Sequence, residues 1–364
     1  MFENLKIETY TLRELRQLYD DSRFWLSKEL PFTRPRLQQY IANPFAEEGD
    51  PLWLMMREGS EICAYLGLIP DRVRVGDAWA KVFWLTSWWA TPRYRGKHLA
   101  ERLTDMGTAS HPNIAINSGS PWTIKKLLAS GKYQVYMLRP RTYWFLNINR
   151  SALREFRPNF RLPGLIYQPL HGSLSCLQNM RLRGRRKPAN AADLTVEYGN
   201  CMDSECLEFI NRHTRKDFSI KTPESLSWRM QNAINHPRLE GVSARNLSYF
   251  GNVGAAVMSY PLKLFKGEKL IAVLHLLVTD GILRLPYMYL DSNFEGDFAA
   301  FIMQLCMTNQ IDVIYSQNPH FKSIMDANRL PYLFCKSYPM EMLISKALWD
   351  VEKDLNLQDG DGAF

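Results

Sequence analysis

The stretch Phe83-Trp-Leu-Thr-Ser-Trp-Trp-Ala90-Thr-Pro92-Arg-Tyr-Arg95-Gly-Lys-His98-Leu-Ala100-Glu-Arg-Leu-Thr-Asp-Met106 decides how this chain is read. Its aromatic, apolar opening predicts a strand to Ala90, and Pro92 bounds a turn. Leu99, Leu103 and Met106 then recur at helical spacing. Between strand and helix lies a loop with Gly96 and the cations Arg93, Arg95 and Lys97. A helix start presents N–H groups without intrahelical partners and the positive end of the helix dipole, so such a loop is an anion cradle suited to a pyrophosphate. The spacing fits neither Gly-x4-Gly-Lys-Ser/Thr nor Gly-x-Gly-x-x-Gly.

Outward from this loop, the chain reads as if written twice. Ala64-Tyr-Leu-Gly-Leu-Ile-Pro70, Gly76-Asp77 and the apolar run Val82–Ala90 are answered by Ala255-Ala-Val-Met-Ser-Tyr-Pro261, Gly267-Glu268 and Leu270–Val278, with prolines and glycines both 191 residues apart. Each set predicts a hairpin whose glycine takes positive φ at the corner. Downstream, Ile114–Pro121 with its following helix is answered by Val313–Pro319, each helix opening on Pro after Ser or Asn, an N-cap pattern. Leading helices are expected near Leu12–Asp20, Pro35–Ile41, Ser204–Arg212 and Pro223–Ile234. The expected fold is α/β with mixed sheets: two halves, each a mixed sheet flanked by helices, the second degenerate.

Composition bounds the function. The chain has 364 residues, 46% hydrophobic and 23% charged, which excludes wholesale disorder. A net charge of +8 and pI of about 9.1 allow an anionic partner without choosing among nucleic acid, membrane surface and phosphorylated small molecules. The six cysteines form no Cys-x-x-Cys, so reduced thiols and no metal are expected. No apolar run reaches the ~18 residues of a membrane span. The opening Met-Phe-Glu-Asn-Leu-Lys lacks export features, so a cytoplasmic protein without a membrane partner is expected. The run Arg181-Leu-Arg-Gly-Arg-Arg-Lys187 lies in a Pro- and Arg-rich segment matching neither copy and is taken as a basic connector, with a phosphate-contacting strap as the alternative.

The decisive stretch resembles the GNAT superfamily of acyl-CoA-dependent N-acyltransferases. Its signature is a strand ending Val-x-Pro, then Arg/Gln-x-x-Gly-x-Gly/Ala at a helix start, and Ala90-Thr-Pro92 with Arg95-Gly-Lys-His-Leu-Ala100 fills those positions. With both halves considered, the layout resembles tandem-GNAT proteins, among them N-myristoyltransferases and bacterial nucleotide-sugar N-acyltransferases. The resemblance implies an acyl-CoA-binding domain over 1–150, the connector over 151–190, a degenerate second GNAT-like domain over 191–352 and a tail over 353–364. It implies direct attack of an amine on the thioester of acyl-CoA, with no metal. Two departures stand out: His98 occupies the middle glycine position, and Leu127 stands where many relatives carry a tyrosine that protonates the departing thiolate.

On this resemblance, the donor site comprises Trp88, Trp89, Ala90, Arg95, Gly96, Lys97, His98, Leu99, Ala100 and Asn117, with a gap between the fourth and fifth strands receiving the pantetheine arm. Ser118, Tyr133 and His320 are the catalytic candidates. Tyr133 or Tyr136 would take the vacant tyrosine role and His320, at the place of Trp122 in the first copy, the base. Water alone could also remove the proton. Trp25, Arg215, Lys221 and Trp228 are the acceptor candidates. The acceptor implied is an amino sugar linked to dTDP or UDP, for surface polysaccharide. Transfer to a peptide or protein amine is the alternative within enzymes. A non-catalytic, basic nucleic-acid-binding protein is the alternative outside them.

Overall fold

Local rules set the first elements. Thr11 ends β1 (Leu5–Thr11) and caps α1 (Leu12–Asp20). The Thr11 N–H donates to the Glu14 carboxylate at 2.7 Å while the Thr11 hydroxyl accepts from the Glu14 N–H, a reciprocal capping box. The computed structural model describes residues 5–25, 34–94, 98–117, 119, 121–156, 163–184, 193–199, 203–231, 257–348, 351 and 355–362. These divide into two units. The first draws on Met1–Leu138, Lys216–Ala256 and Glu341–Phe364, the second on Arg139–Arg215 and Val257–Met340.

In the first unit, β1, β2 (Pro51–Glu58), β3 (Glu61–Val75) and β4 (Ala78–Ala90) pair antiparallel in sequence order. Then β5 (Ile114–Ile116) joins β4 in parallel. Beyond β5 lie Leu343 and Ile344, from β12 (Phe334–Ser345) at the far end of the sequence. Helices α1, α2 (Ser22–Trp25) and α3 (Arg34–Ile41) lead in. Tyr40 of α3 meets Trp53, and Trp53 meets Tyr65, each edge-to-face at 5.3 Å, pairs worth about 1 kcal/mol beyond their burial. Helix α4 (Leu99–Ser110) follows β4, with Gly107 against Leu54, Leu66 and Leu68; α5 (Pro121–Ala129) follows β5.

The second unit repeats this order. β7 (Leu194–Tyr198), β8 (Val257–Lys266), β9 (Lys269–Thr279) and β10 (Ile282–Leu290) are antiparallel neighbours. β11 (Val313–Ser316) is parallel to β10, and its far side pairs with Thr142–Phe145 of β6 (Tyr133–Phe145). The helices are α8 (Ser204–His213), α9 (Pro223–Gln231, within the first unit), α10 (Glu295–Thr308) and α11 (Pro319–Ala327). Each sheet thus takes its last strand from the opposite half of the sequence.

The expected helices stand close to where the sequence put them, and Gly76 and Gly267 turn the β3–β4 and β8–β9 hairpins at φ 56° and 57°. Asn318 caps α11, accepting from the His320 N–H at 2.9 Å, with Pro319 in its first turn. Asp280 and Gly281, both at positive φ, form a further hairpin turn from β9 into β10, so Thr279–Arg284 is not a strand-to-helix loop. It is β10 that leads into α10, so Asp291-Ser-Asn-Phe-Glu-Gly296 stands where Thr91–Arg95 stands in the first unit, and it is acidic rather than basic. The segment expected as a connector holds α6 (Arg150–Phe156) and the 21-residue α7 (Gly164–Gly184).

Candidate active site

Among the described residues, β4 and β5 pair only at Phe83↔Ile114 and Trp84↔Ala115. β4 then continues to Ala90 while β5 stops at Ile116, so the two strands part. On its other edge β4 carries a bulge: Thr86 faces Gly67 and Trp89 faces Tyr65, leaving Ser87 and Trp88 opposite the single Leu66. Among the described residues, the ladder with β5 therefore ends at Trp84, six residues before β4 does.

Helix α4 opens directly beyond this point. His98 precedes it at φ 60°, a left-handed conformation usually left to glycine, and supplies no side-chain cap. Arg95, Gly96, Lys97 and Ser118 lie outside the described residues. Leu99 is buried, and Ala100 lies in the first turn of α4.

A cavity of about 300 Å³ lies between α4 and α5. Trp88, Leu127 and Tyr133 are in its wall, with Glu101, Thr104, Trp122 and Lys126. At its edge the His98 Nδ1 lies 2.7 Å from a Glu101 carboxylate oxygen, and Lys126 pairs with the same carboxylate. The Lys126 ammonium also sits 4.9 Å from the centre of the Trp122 ring, which is 59% exposed. Burial pushes the Tyr133 phenol up to about 12, the Thr108 hydroxyl acting weakly the other way, so it is neutral and a donor at pH 7. The structure thus brings together Trp88, Tyr133 and, at the rim, His98.

Other expected residues are held elsewhere. Trp84 is core, donating its indole N–H to Asp71 at 3.0 Å. Trp89 and Ala90 are half-buried on β4, facing Tyr65 and Ala64. Asn117 is buried and donates to the Asp361 carbonyl at 2.7 Å. Trp25 donates to the Tyr19 carbonyl at 3.0 Å and lies 5.9 Å from the Arg34 guanidinium; Trp228 is buried and donates to the Gln39 carbonyl at 2.9 Å. Arg215 is exposed. His320, half-exposed in the second unit, has Nε2 2.8 Å from the Glu295 carboxylate.

Lys221 belongs to an ion cluster inside the first unit that the sequence did not announce. Its ammonium is fully enclosed and lies 2.8 Å from Asp361. Arg229, equally enclosed, reaches Asp361 at 2.8 Å and Asp71 at 2.6 Å. Burial pushes Asp71 above the ordinary carboxylate range despite Arg229 and Lys221. Burial also pushes Asp361 up, but the Lys221 and Arg229 charges outweigh it and hold Asp361 below that range. The cluster seats residues 355–362 against the sheet. Gly362 passes so close to Trp84 that a Cβ there would lie 2.4 Å from its ring. A signal existed: Asp71 interrupts the apolar run of β3, and Asp359-Gly-Asp-Gly362 is turn-forming text.

No protein-family model and no curated protein matches the chain. Among solved structures, Saccharomyces cerevisiae N-myristoyltransferase with bound myristoyl-CoA is similar with a TM-score of 0.56 at 11% identity, over 95% of this chain and 83% of that one. The same enzyme with myristoyl-CoA and inhibitors gives 0.56 at 11% identity, over 95% and 80%. A GCN5-related N-acetyltransferase from Anabaena variabilis gives 0.47 at 11%, over 93% and 72%. The chain has a mixed α/β fold similar to that of N-myristoyltransferase.

Proposed function

We propose that this chain is an acyl-CoA-dependent N-acyltransferase whose donor site lies in the first unit. The observation that carries the reading is the parting of β4 from β5 directly beside the start of α4 and the cavity behind it. The residues present suit the donor. The unladdered end of β4 offers amide groups to the pantetheine arm, the uncapped start of α4 and Arg95 and Lys97 suit the pyrophosphate, and Trp88 and Leu127 give an apolar wall. The N-myristoyltransferase of similar fold binds myristoyl-CoA, a fatty acyl-CoA of the same donor class. The acidic loop at Asp291–Gly296 argues against a second donor site in the other unit.

Acyl-CoA supplies an activated carbonyl: the amine nitrogen bonds to it, the C–S bond breaks, and CoA leaves as a thiol after gaining a proton. The chain's own task is to orient the two groups and move that proton. A phenol with a pKa near 12 is about 3–4 units too weak to protonate fully an ordinary thiolate, whose thiol sits near 8.5. Tyr133 therefore serves as hydrogen-bond donor toward the departing sulfur. His320 is the proposed base, because the Glu295 contact at Nε2 leaves Nδ1 to accept a proton. The acceptor we propose is the amine of a nucleotide-linked amino sugar, in surface polysaccharide synthesis in the cytoplasm, with Arg215 as a proposed phosphate contact. A peptide amine is the second reading, favoured by the N-myristoyltransferase fold. We also propose that the repeated element order reflects duplication.

Two measurements test this. CoA thiol release from a panel of acyl-CoAs should accelerate when dTDP- or UDP-linked amino sugars are added; acceleration by glycine-ended peptides alone would move the acceptor to the second reading. No release with any donor–acceptor pair would end the proposal. His320→Ala should lower kcat about 10²-fold. A change below about threefold would assign deprotonation to water.

A further inference from the structure

Helix α7 is built inside out. Its inward side is mostly polar and hydrogen-bonded within the second unit. The Tyr167 hydroxyl donates to the Ile148 carbonyl at 3.2 Å, His171 Nε2 lies 2.9 Å from Asp312, Ser175 accepts from Asn147 at 2.6 Å, and Gln178 donates to the Pro331 carbonyl. Its outward side is apolar. Leu165, Ile166, Leu170, Leu177 and Met180 are 92%, 54%, 42%, 38% and 60% exposed. At 100° per residue these five fall within about 140° of one another, a single stripe. A globular helix places these two sides the other way round, so the stripe is a surface made for a partner.

Charge says which partner. Helix α7 holds no Asp or Glu, and from Arg157 to Ala192 the sequence has 7 Arg and Lys and no acid. An apolar stripe in an acid-free, cation-rich stretch is the chemistry of a helix that lies in the interface of an anionic bilayer, apolar side among the acyl chains and cations among the headgroups. A second copy of the chain would bring two such cationic stretches together. No described helix is long and apolar enough to cross a membrane, and lying on one requires no span. We propose that α7 docks this protein on an anionic lipid surface.

The test uses the full chain and vesicles of phosphatidylcholine with and without phosphatidylglycerol. The parent chain should co-sediment with the anionic vesicles only, and added salt should weaken the binding. Leu170→Glu/Leu177→Glu should reduce it by about tenfold or more, with unchanged circular dichroism and melting. Cys176 is free, exposed and on the stripe. In a Cys201→Ser/Cys335→Ser background, a polarity-sensitive fluorophore there should shift to the blue on adding anionic vesicles, which keeps the test decisive if the double variant misfolds. Equal binding to both vesicle types, no binding by the parent, or no shift at Cys176 would overturn the proposal. A parent dimer that dissociates in the double variant, without vesicle binding, would overturn it in favour of an interface between copies.

Discussion

Replacing Arg229 with methionine is expected to lower the stability of the first unit by about 3–5 kcal/mol, the usual cost of stripping one partner from a buried ion pair. Arg229 is the bond between Asp71 on β3 and Asp361 in the last described segment. Without it, among the described residues, Asp71 keeps the Trp84 indole, the Arg72 N–H at 2.8 Å and the Lys221 charge, and burial then drives it to take up a proton or draw in water. Urea unfolding followed by tryptophan fluorescence reads the loss, and a change below about 1 kcal/mol would show that the cluster does not hold the segment. Arg229→Met/Asp71→Asn should recover much of the loss, because it removes the orphaned charge together with its partner. Asp361 adds a pH signature. Its folded value lies below its unfolded one, so its stabilisation is complete above the unfolded carboxylate range and fades as pH falls through the folded value.

The second large effect comes from His275. The ring is 2% exposed on β9, its Nε2 lies 2.8 Å from the Ser259 hydroxyl, and its Nδ1 finds no partner among the described residues. Burial pushes its pKa down to about 4. Between the unfolded value near 6.5 and the folded one, the unfolded chain binds a proton that the folded chain refuses. Stability is therefore intact above the unfolded value and falls as pH drops through this window, by about 3 kcal/mol at its lower end. His111, also pushed down by burial, acts in the same direction in the first unit. His275→Leu isolates the effect: its stability between those pH values should slope less steeply by about one proton. A slope equal to the parent's would mean that the ring is hydrated and titrates normally.

What was legible in the sequence was local. Helices α1, α8 and α11 announce themselves by Thr11, Asp203 and Asn318, whose side chains cap their first N–H groups. Gly76 and Gly267 mark their hairpins because only a residue at ease with positive φ turns there. The parting of the strands and the wall residues Trp88 and Tyr133 were readable through the loop motif, since that motif fixes which strand precedes the helix. What was illegible depends on distant partners. Nothing in Glu341–Ser345 says that its neighbour is β5 and not β11. Lys221 reads as an acceptor contact, and Arg229 carries no role, until Asp361 arrives beside them from 132 residues beyond Arg229. β10 fell outside the repeat match, which stops at Val278 and resumes at Val313, although Asp280-Gly281 is a strong turn signal. α7 escaped because its polar side faces inward, the reverse of the pattern that reveals a helix.

The borrowed last strands have a consequence for how the protein is made. The first sheet cannot close until Leu343 and Ile344 are available, and residues 355–361 must follow before Asp361 meets Arg229. Residues up to 361 must therefore leave the ribosome before that sheet and its ion cluster are complete, even though most of the sheet has long been synthesised. Pairings spanning more than two hundred residues carry a high loop-closure cost and slow the search for the native state. During that wait β5 keeps an open edge rich in Ile and Ala, a natural target for chaperones and for unwanted strand addition.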